Sequence, residues 1–586
     1  MKILTIHADF IEFEAKKKAF KGAEEGIKAG RQRVEECLVV FSAVQKRDED
    51  DLPGVIDRYV HEIKDIAAQV KVNTIVLYPY AHLSSDLAAP AKAEQVLKDA
   101  EKKLLAEKFA VHRAPFGWYK SFTLSCKGHP LSELSREFTA AGSIKATAPK
   151  STTSHVPEEK VDTEALLKKM SKIHMAAERG TGGRKSNVEL GKELDLYLVS
   201  EIVGSGLPLL TPKGTVIHRE LERFIVDEEI KRGYLHTSTP VLAKSDLYKI
   251  SGHWQHYKEN MFVLNVGEEV FALRPMTCPF QFVIYKSKPR SYKELPLRYA
   301  EIASLFRNEK SGELMGLTRI RQFTLADAHI ICRPDQLEAE FGRVIDLINY
   351  VTKVLKMEGL WYRFSKWDPQ NKEKYIDNPK AWESTQKAMK KILDQLKLKY
   401  LEAENEAAFY GPKLDVQFKN IFGKEDTLLT VQIDFLAPER FDLTYVDEHN
   451  EKKQAMLIHR SSIGCLERTM AYLLEKTQGN LPLWLNPVQV KVVTVTDRAQ
   501  AWAEQVVKVL WEQKIRVELD DRTETMGRKV REAQLEKVNY ILTIGDKEVD
   551  TKTVAIRNRA GKLQFGLKLE KFVAELQEEI AARKSE

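Results

Sequence analysis

The chain has 586 residues, 43% of them hydrophobic and 30% charged, with 29 Gly and 21 Pro, which excludes global disorder and collagen-like repetition and leaves apolar side chains enough for several cores. At roughly 150 residues per domain, about four folding units are expected. Its 92 basic and 85 acidic side chains leave a net charge of +7, an excess that permits a polyanionic partner without requiring one.

In chain order, KILTIHA reads as a first strand, because Asp9, Glu12 and Glu14 interrupt the apolar stretch that a secretory leader would need to continue. The longest clean apolar run, Leu38 to Val44, falls far below the roughly 18 to 20 residues that span a bilayer, so no membrane partner is expected. CLVVFSAV reads as a strand, DLPGVIDRYVHEIKDIAAQV as a helix, VNTIVLY as a strand, and about Asp86 to Glu107 as a second helix. KFAVHRA and YKSFTLS follow, separated by the turn signal PFGW, and are expected to form a hairpin. This is one α/β domain, assigned to 1–143. From Ala140 to Glu159 the sequence turns small, polar and aperiodic, and Val161 to Val188 reads as a basic helical connector, so 144–190 is assigned as linker and connector. The largest unit, 191–485, mixes strands and helices. From 486 to 586, VQVKVVTV, a helix to Gln513, IRVELD, a helix through Val538, NYILTIG, TVAIRN and a final helix give a further α/β domain. The fold class is therefore α/β and α+β, multidomain. Five Cys at 37, 126, 278, 332 and 465 form no CxxC pair, which points to reduced thiols and a cytoplasmic location.

No GxxxxGK[ST] occurs and no GxGxxG follows a strand, so the common phosphate-binding loops are excluded. RNEKSGELMGLTRIRQF offers another way to hold a nucleotide: two strand-like segments around a Ser-Gly-Glu turn, with Arg307 and Glu309 on the first and Arg319, Arg321 and Phe323 on the second. Guanidinium groups suit phosphates, a carboxylate suits an exocyclic amine and a ring suits a purine face. The same residues would equally serve an edge-strand salt network. Cys278, His329 and His459 are ligand types for a tetrahedral zinc with one open position, but 51 and 130 residues separate them; spacing alone fits a buried thiol and core imidazoles as well.

RNEKSGELMGLTRIRQF resembles motif 2 of the class II aminoacyl-tRNA synthetases, the segment ending in Pro240 resembles their motif 1, and IHRSSIGCLERTMAYLLE resembles motif 3. The resemblance implies that Arg307 holds the α-phosphate of ATP, Glu309 and Phe323 clamp adenine, and Arg319 and Arg468 hold the outer phosphates, with Mg²⁺ accompanying ATP. Cys278, His329 and His459 match the zinc ligands of the threonyl-tRNA synthetases, and the match runs through AAFYGPKLDV and TVQIDF. Asp327, Tyr410 and Gln432 would then complete the pocket for L-threonine, and His253 would relay a proton during transfer to tRNA. YPYAHLSSD, GWYKSF and HPLSELSREF resemble the archaeal-type editing domain, similar in fold to D-aminoacyl-tRNA deacylases, which implies an editing pocket of His82, Tyr119, Lys120 and Glu133 that hydrolyses seryl-tRNA. DDRTETMGRKVREAQ and GDKEVDTKTVAIRNR resemble the anticodon-binding domain of the threonyl, prolyl, histidyl and glycyl enzymes, with Arg522, Arg531, Glu548 and Arg557 as candidate contacts to threonine tRNA. A homodimer through motif 1 is implied, and the catalytic core would rest on an antiparallel sheet. Thr277, Phe280 and Gln281 depart from the Asn-Cys-Pro-Gly-His pattern, and Leu325 stands where a Gln often faces substrate. A prolyl or seryl synthetase, or a tRNA-binding relative without catalysis, are the alternatives.

Overall fold

The computed structural model describes residues 1–584 except 21, 28–29, 85, 130, 141, 145–162 and 171–179. The chain divides into two compact units, Met1–Val161 and Asp162–Glu586. Most of the expected linker lies outside the described residues. Of the expected helical connector, Thr163–Met170 is helical, while 181–186 is turn and coil before a short helix at Asn187–Glu193.

The first unit is one mixed sheet of β1 (Lys2–Lys18), β2 (Gln32–Ala43), β3 (Thr74–Pro79), β4 (Ala110–Arg113), β5 (Trp118–Cys126), β6 (Glu133–Thr139) and β7 (Gly142–Ile144), in the order β4-β3-β2-β1-β6-β7, with β5 also pairing β1. Helix α1 (Leu52–Val70) begins where the Asp51 side chain accepts from the Gly54 N–H at 3.0 Å, satisfying one of the unpaired donors of its first turn. Val55, Ile56, Tyr59, Val60, Ile63, Ile66 and Ala67 recur at helical spacing and are buried. They pack with α2 (Pro90–Ala106) against one face of the sheet, and Phe13, Phe41 and Tyr78 cluster separately. The second helix starts at Pro90, not Asp86: proline favours the first turn, where its missing N–H is no loss.

The expected hairpin around PFGW does not form. β4 runs parallel to β3 as the end of a β-helix-β crossover, and β5 pairs antiparallel with β1. The Glu24 carboxylate separates the two strands, taking the Arg113 guanidinium at 2.7 Å and the Phe116 N–H at 3.0 Å, while its carbonyl accepts from the Trp118 indole at 2.9 Å. A turn signal marks where the chain bends, and the pairing is decided by which neighbour buries the strand.

In the second unit, an eight-stranded sheet comprises β8 (Leu235–His236), β9 (Leu297–Phe306), β10 (Gln322–Cys332), β11 (Trp361–Ser365), β12 (Tyr400–Ala403), β13 (Lys413–Lys419), β14 (Glu425–Asp434) and β15 (Met456–Cys465). The order is β8-β9-β10-β15-β14-β13-β11-β12, antiparallel throughout except the outermost pairs β8–β9 and β11–β12. Helices α3 (Pro212–Lys231), α5 (Leu337–Val354) and α6 (Leu466–Thr477) contribute Leu221, Phe341 and Met470 to the core beneath it, while α4 (Cys278–Lys286) belongs to a separate apolar cluster around Phe282 and Phe441. Arg307, Glu309, Arg319 and Arg321, expected on two strands, lie instead in the loop between β9 and β10; only Phe323 is on a strand. Gly316 at φ +45° and the short 3₁₀ turn at Ser311–Glu313 take that segment out of the ladder.

The same unit holds a five-stranded sheet of β16 (Val490–Thr494), β17 (Val517–Asp520), β18 (Tyr540–Ile544), β19 (Thr553–Asn558) and β20 (Leu563–Lys568), ordered β17-β16-β18-β19-β20 and packed against α7 (Gln500–Glu512) and α9 (Leu569–Ala581). β20 was not expected from the sequence: it is an edge strand with most of its side chains exposed, so it lacks the alternation that marks a half-buried strand. This sheet is joined to α3 by Arg516, whose guanidinium reaches Glu220 at 3.2 Å, and by Arg583, which stacks 4.8 Å above the Phe224 ring.

Candidate active site with a metal-ligand cluster

The cleft is built by strand alternation. Side chains two apart on a strand share a face, so Phe323, Leu325, Asp327 and His329 on β10 point the same way, as do Thr430, Gln432 and Asp434 on β14. The register places His329 opposite His459, and His459 opposite Gln432, on three adjacent strands. Cys278 enters from the first residue of α4. Its Sγ lies 3.4 Å from His459 Nδ1, and the donor atoms of Cys278, His329 and His459 all lie within 4.8 Å of one another. Residues 51 and 130 apart in sequence thus converge.

Both imidazoles are supported from behind. His459 Nε2 donates to Asp434 Oδ2 at 2.8 Å, and His329 Nδ1 donates to Gln281 Oε1 at 2.6 Å. This leaves His459 Nδ1 facing the thiol and His329 Nε2 buried without any hydrogen-bond partner. A buried acceptor left unpaired is costly unless something else fills it. One thiolate and two imidazoles, each braced by a second residue, suit a zinc ion with a fourth position open. The residues fit the group. Burial pushes the Cys278 thiol well up and the His329 imidazole well down, and a bound cation reverses that penalty for the thiolate.

Beside the cluster the Tyr410 hydroxyl donates to Gln432 Oε1, and the Tyr410 ring lies 5.2 Å from that of His459. Asp327 is buried, which raises its carboxyl to about 6. The cleft extends over about 280 Å³ from Cys278 and Gln432 to Phe323, Arg319 and Arg468. In the same cleft the Arg307 guanidinium sits 4.9 Å from the Phe323 ring with its buried Nε unpaired. Glu309 pairs with Arg319 at 2.8 Å, and Arg468 is oriented by the carbonyls of Thr318 at 3.0 Å and Thr427 at 2.8 Å. His253 does not line this cleft. It is buried behind Tyr410, accepts or donates at Ser251 Oγ at 2.8 Å, and burial lowers its pKa to about 3, so it is neutral.

A second cavity of about 390 Å³ lies in the first unit, lined by His82, Tyr119 and Lys120 together with Tyr78 and Trp118. Lys120 Nζ donates to the carbonyls of Pro115 at 2.9 Å and Trp118 at 3.0 Å and lies 5.1 Å from the Tyr78 ring. Burial lowers its pKa to about 8. Glu133 is not among the residues lining this cavity; it pairs with Ile6 across β6 and β1, and its carboxylate meets Cys126 Sγ at 3.6 Å. In the small domain Arg522 is held by Asp520 and Glu532, each at 2.6 Å, and Glu548 caps its own helix by accepting from the Gly545 N–H at 3.0 Å. Arg531 is exposed on α8 (Met526–Leu535) and Arg557 is half-buried on β19.

Sequence reading missed Gln281 as a support and Asp434 altogether. Asp434 was legible: it lies two residues after Gln432 in TVQIDF and therefore on the same face.

Residues 1–138 match the archaea-specific editing domain of threonyl-tRNA synthetase, 262–477 the class II tRNA synthetase core domain (G, H, P, S and T), and 489–579 the anticodon binding domain. A crystal structure of the RNA binding domain of threonyl-tRNA synthetase from Cryptosporidium parvum Iowa II superposes with a TM-score of 0.64 at 32% identity, covering 67% of this chain and 98% of that one. The chain belongs to the threonyl-tRNA synthetase family. The threonine–tRNA ligase of Clostridium botulinum (strain Eklund 17B / Type B) is 55% identical over 404 residues, 68% of this chain and 63% of that protein. That of Geobacillus kaustophilus (strain HTA426) is 49% identical over 399 residues, 68% and 61% respectively. The match thus spans about three-fifths of the length of these bacterial threonine–tRNA ligases, while residues 1–138 match an archaea-specific module. Among the described residues no helix is long and apolar enough to cross a membrane.

Proposed function

We propose that the chain is an archaeal-type threonyl-tRNA synthetase: it activates L-threonine with ATP, transfers it to threonine tRNA, and hydrolyses seryl-tRNA in its first unit. The observation that carries the reading is the convergence of Cys278, His329 and His459 beside a cleft that also holds Arg307, Phe323 and Arg468. Zinc held by these three residues would supply a Lewis acid for the amino group and hydroxyl of threonine, and would find no hydroxyl on valine. A site built around a hydroxyl rejects its absence far more strongly than an apolar pocket rejects a missing methyl. Asp327 faces the amino group, and the hydrogen-bonded Tyr410–Gln432 pair closes the pocket around the side chain. Phe323 and Glu309 take the adenine, with Mg²⁺ accompanying the phosphates. Arg307 holds the α-phosphate, and Arg319 and Arg468 hold the leaving pyrophosphate, stabilising charge that develops as the carboxylate attacks. His253 would relay the proton of the terminal ribose hydroxyl during transfer only from outside the present cleft lining, and burial makes it a weak base where it stands. The domains are 1–143 for editing, 191–485 for catalysis and 486–586 for the anticodon, with motif 1 forming a homodimer in the cytoplasm.

The test is amino-acid-dependent exchange of pyrophosphate into ATP with threonine, serine, valine and proline compared side by side. Exchange with threonine, weaker exchange with serine and none with valine or proline is expected. No exchange with any of them, from folded protein loaded with zinc, would leave a tRNA-binding relative without catalysis.

Serine differs from threonine by one methyl, worth only about 1–3 kcal/mol, so a second site is needed, and the cavity of His82, Tyr119 and Lys120 is the candidate; Glu133 would join it only from outside its present lining. Below about pH 8 Lys120 is an ammonium, a donor suited to position water or the neighbouring ribose 2′-hydroxyl. Hydrolysis of seryl-tRNA is therefore expected to fall as pH rises through about 8, and Lys120→Ala to slow it about 100-fold or more while threonine charging stays near normal. Unchanged deacylation by that variant would remove Lys120 from the mechanism. The linkage has a stability side: the pKa is depressed in the fold, so the unfolded chain binds the proton more tightly between about 8 and 10.5 and stability rises with pH across that window.

Single-stranded loop bases are read at their exposed edges by charged side chains and by stacking, a task for Arg522, Arg531, Glu548 and Arg557. Replacing Arg531 and Arg557 together with Ala is expected to weaken tRNA binding by at least about tenfold and to leave pyrophosphate exchange unchanged. A filter-binding titration beside the exchange assay separates the two.

A further inference from the structure

The imidazole of His329 presents a lone pair to the metal cluster only if its proton sits on Nδ1, and the structure contains a device that puts it there. Gln281, fully buried, accepts from His329 Nδ1 through Oε1 and donates through Nε2 to Thr237 Oγ1 at 2.8 Å. Thr237 Oγ1 in turn lies 3.0 Å from Glu301 Oε2, and Glu301 Oε1 accepts from the buried Arg274 guanidinium at 2.8 Å. A carboxylate ion-paired with arginine is an acceptor only. The Thr237 hydroxyl, whose other neighbours are the acceptors Glu301 Oε2 and the Ala300 carbonyl at 3.3 Å, must therefore donate on that side and offer its lone pair to Gln281, which turns the amide so that oxygen, not nitrogen, faces His329. Each link has one allowed direction, and the last leaves Nε2 bare.

We propose that Gln281 is the positioning residue of the metal site, holding His329 in its ligating tautomer by a proton order set at Glu301 and passed through Thr237. The inference rests on the zinc reading above. It gives a role to one of the positions at which this chain departs from the family pattern, where Gln replaces His. It also ties the metal ligand to Thr237, the residue that follows β8 in the motif 1 segment.

The test is the zinc affinity of the purified full chain, read by competition with a chromophoric chelator, for wild type, Gln281→Met, Gln281→His and Thr237→Val. Gln281→Met keeps the length and volume but loses the acceptor, and its zinc dissociation constant is expected to rise about 10- to 100-fold, the range usual for loss of a residue behind a metal ligand. Thr237→Val leaves Gln281 in place but frees its amide to turn, so a smaller rise in the same direction is expected. Gln281→His can still accept from Nδ1 and is expected to stay within about threefold of wild type. The melting temperatures of the metal-free forms serve as the folding control, and KM for threonine should rise with KM for ATP unchanged. Zinc affinities of Gln281→Met and Thr237→Val both within about twofold of wild type, well short of that range, would overturn the inference. A wild-type chain that takes up no zinc would overturn the metal reading itself and this inference with it.

Discussion

Replacing Cys278 with Ser is expected to remove bound zinc and to cut threonine-dependent pyrophosphate exchange by at least about 100-fold, since losing a ligand costs more than losing the group that supports one. The hydroxyl is nearly isosteric with the thiol, but it is not ionised at neutral pH and is a poor partner for zinc, so the cluster drops from three donors to two. Cys278 is buried at the first residue of α4, so the substitution should leave the helix and its packing on Phe282 intact. Elemental analysis together with the exchange assay checks it: the two quantities should fall together. A variant that keeps its zinc and its exchange rate would show that the thiol is an ordinary buried cysteine.

Arg307→Ala is expected to lower exchange about 1000-fold, the scale seen when a preorganised cation at a developing phosphoryl charge is lost. Arg307 is half-buried, its guanidinium lies 4.9 Å from the Phe323 ring and its buried Nε is unpaired, so it needs little reorganisation to meet an α-phosphate. Zinc content should not change, because Arg307 is not one of the three clustered donors. Arg307→Lys should recover only part of the loss, since an ammonium cannot reproduce two parallel contacts to phosphate oxygens. Single-turnover adenylate formation separates this effect from substrate affinity.

Much of this was legible because class II motifs are local. Arg307, Glu309, Arg319 and Phe323 fall within one 17-residue stretch, and Gly464, Glu467 and Arg468 mark the turn from β15 into α6. The metal cluster was not local, and nothing in a spacing of 130 residues says that His329 and His459 face each other across adjacent strands. The PFGW hairpin failed for the same reason: a turn is a local property, whereas the pairing of β4 and β5 is set by β3 and β1. β20 escaped because an exposed edge strand carries no alternation. Gln281 could be named as a departure from pattern, but its role needed Thr237 and Glu301, brought beside it only by the fold.

The alternation along β10 also acts as a ruler. Phe323, proposed to stack on adenine, and His329, proposed as a metal ligand, are six residues apart on one continuous strand, so at about 3.3 Å per residue roughly 20 Å of rigid backbone separates the two positions. Inserting one residue between them would turn every side chain beyond it to the other face of the sheet, and inserting two would carry the metal ligand about 7 Å too far. The amino acid this cleft accepts can therefore be altered by exchanging side chains on β10, but the distance from its carboxylate to the nucleotide cannot.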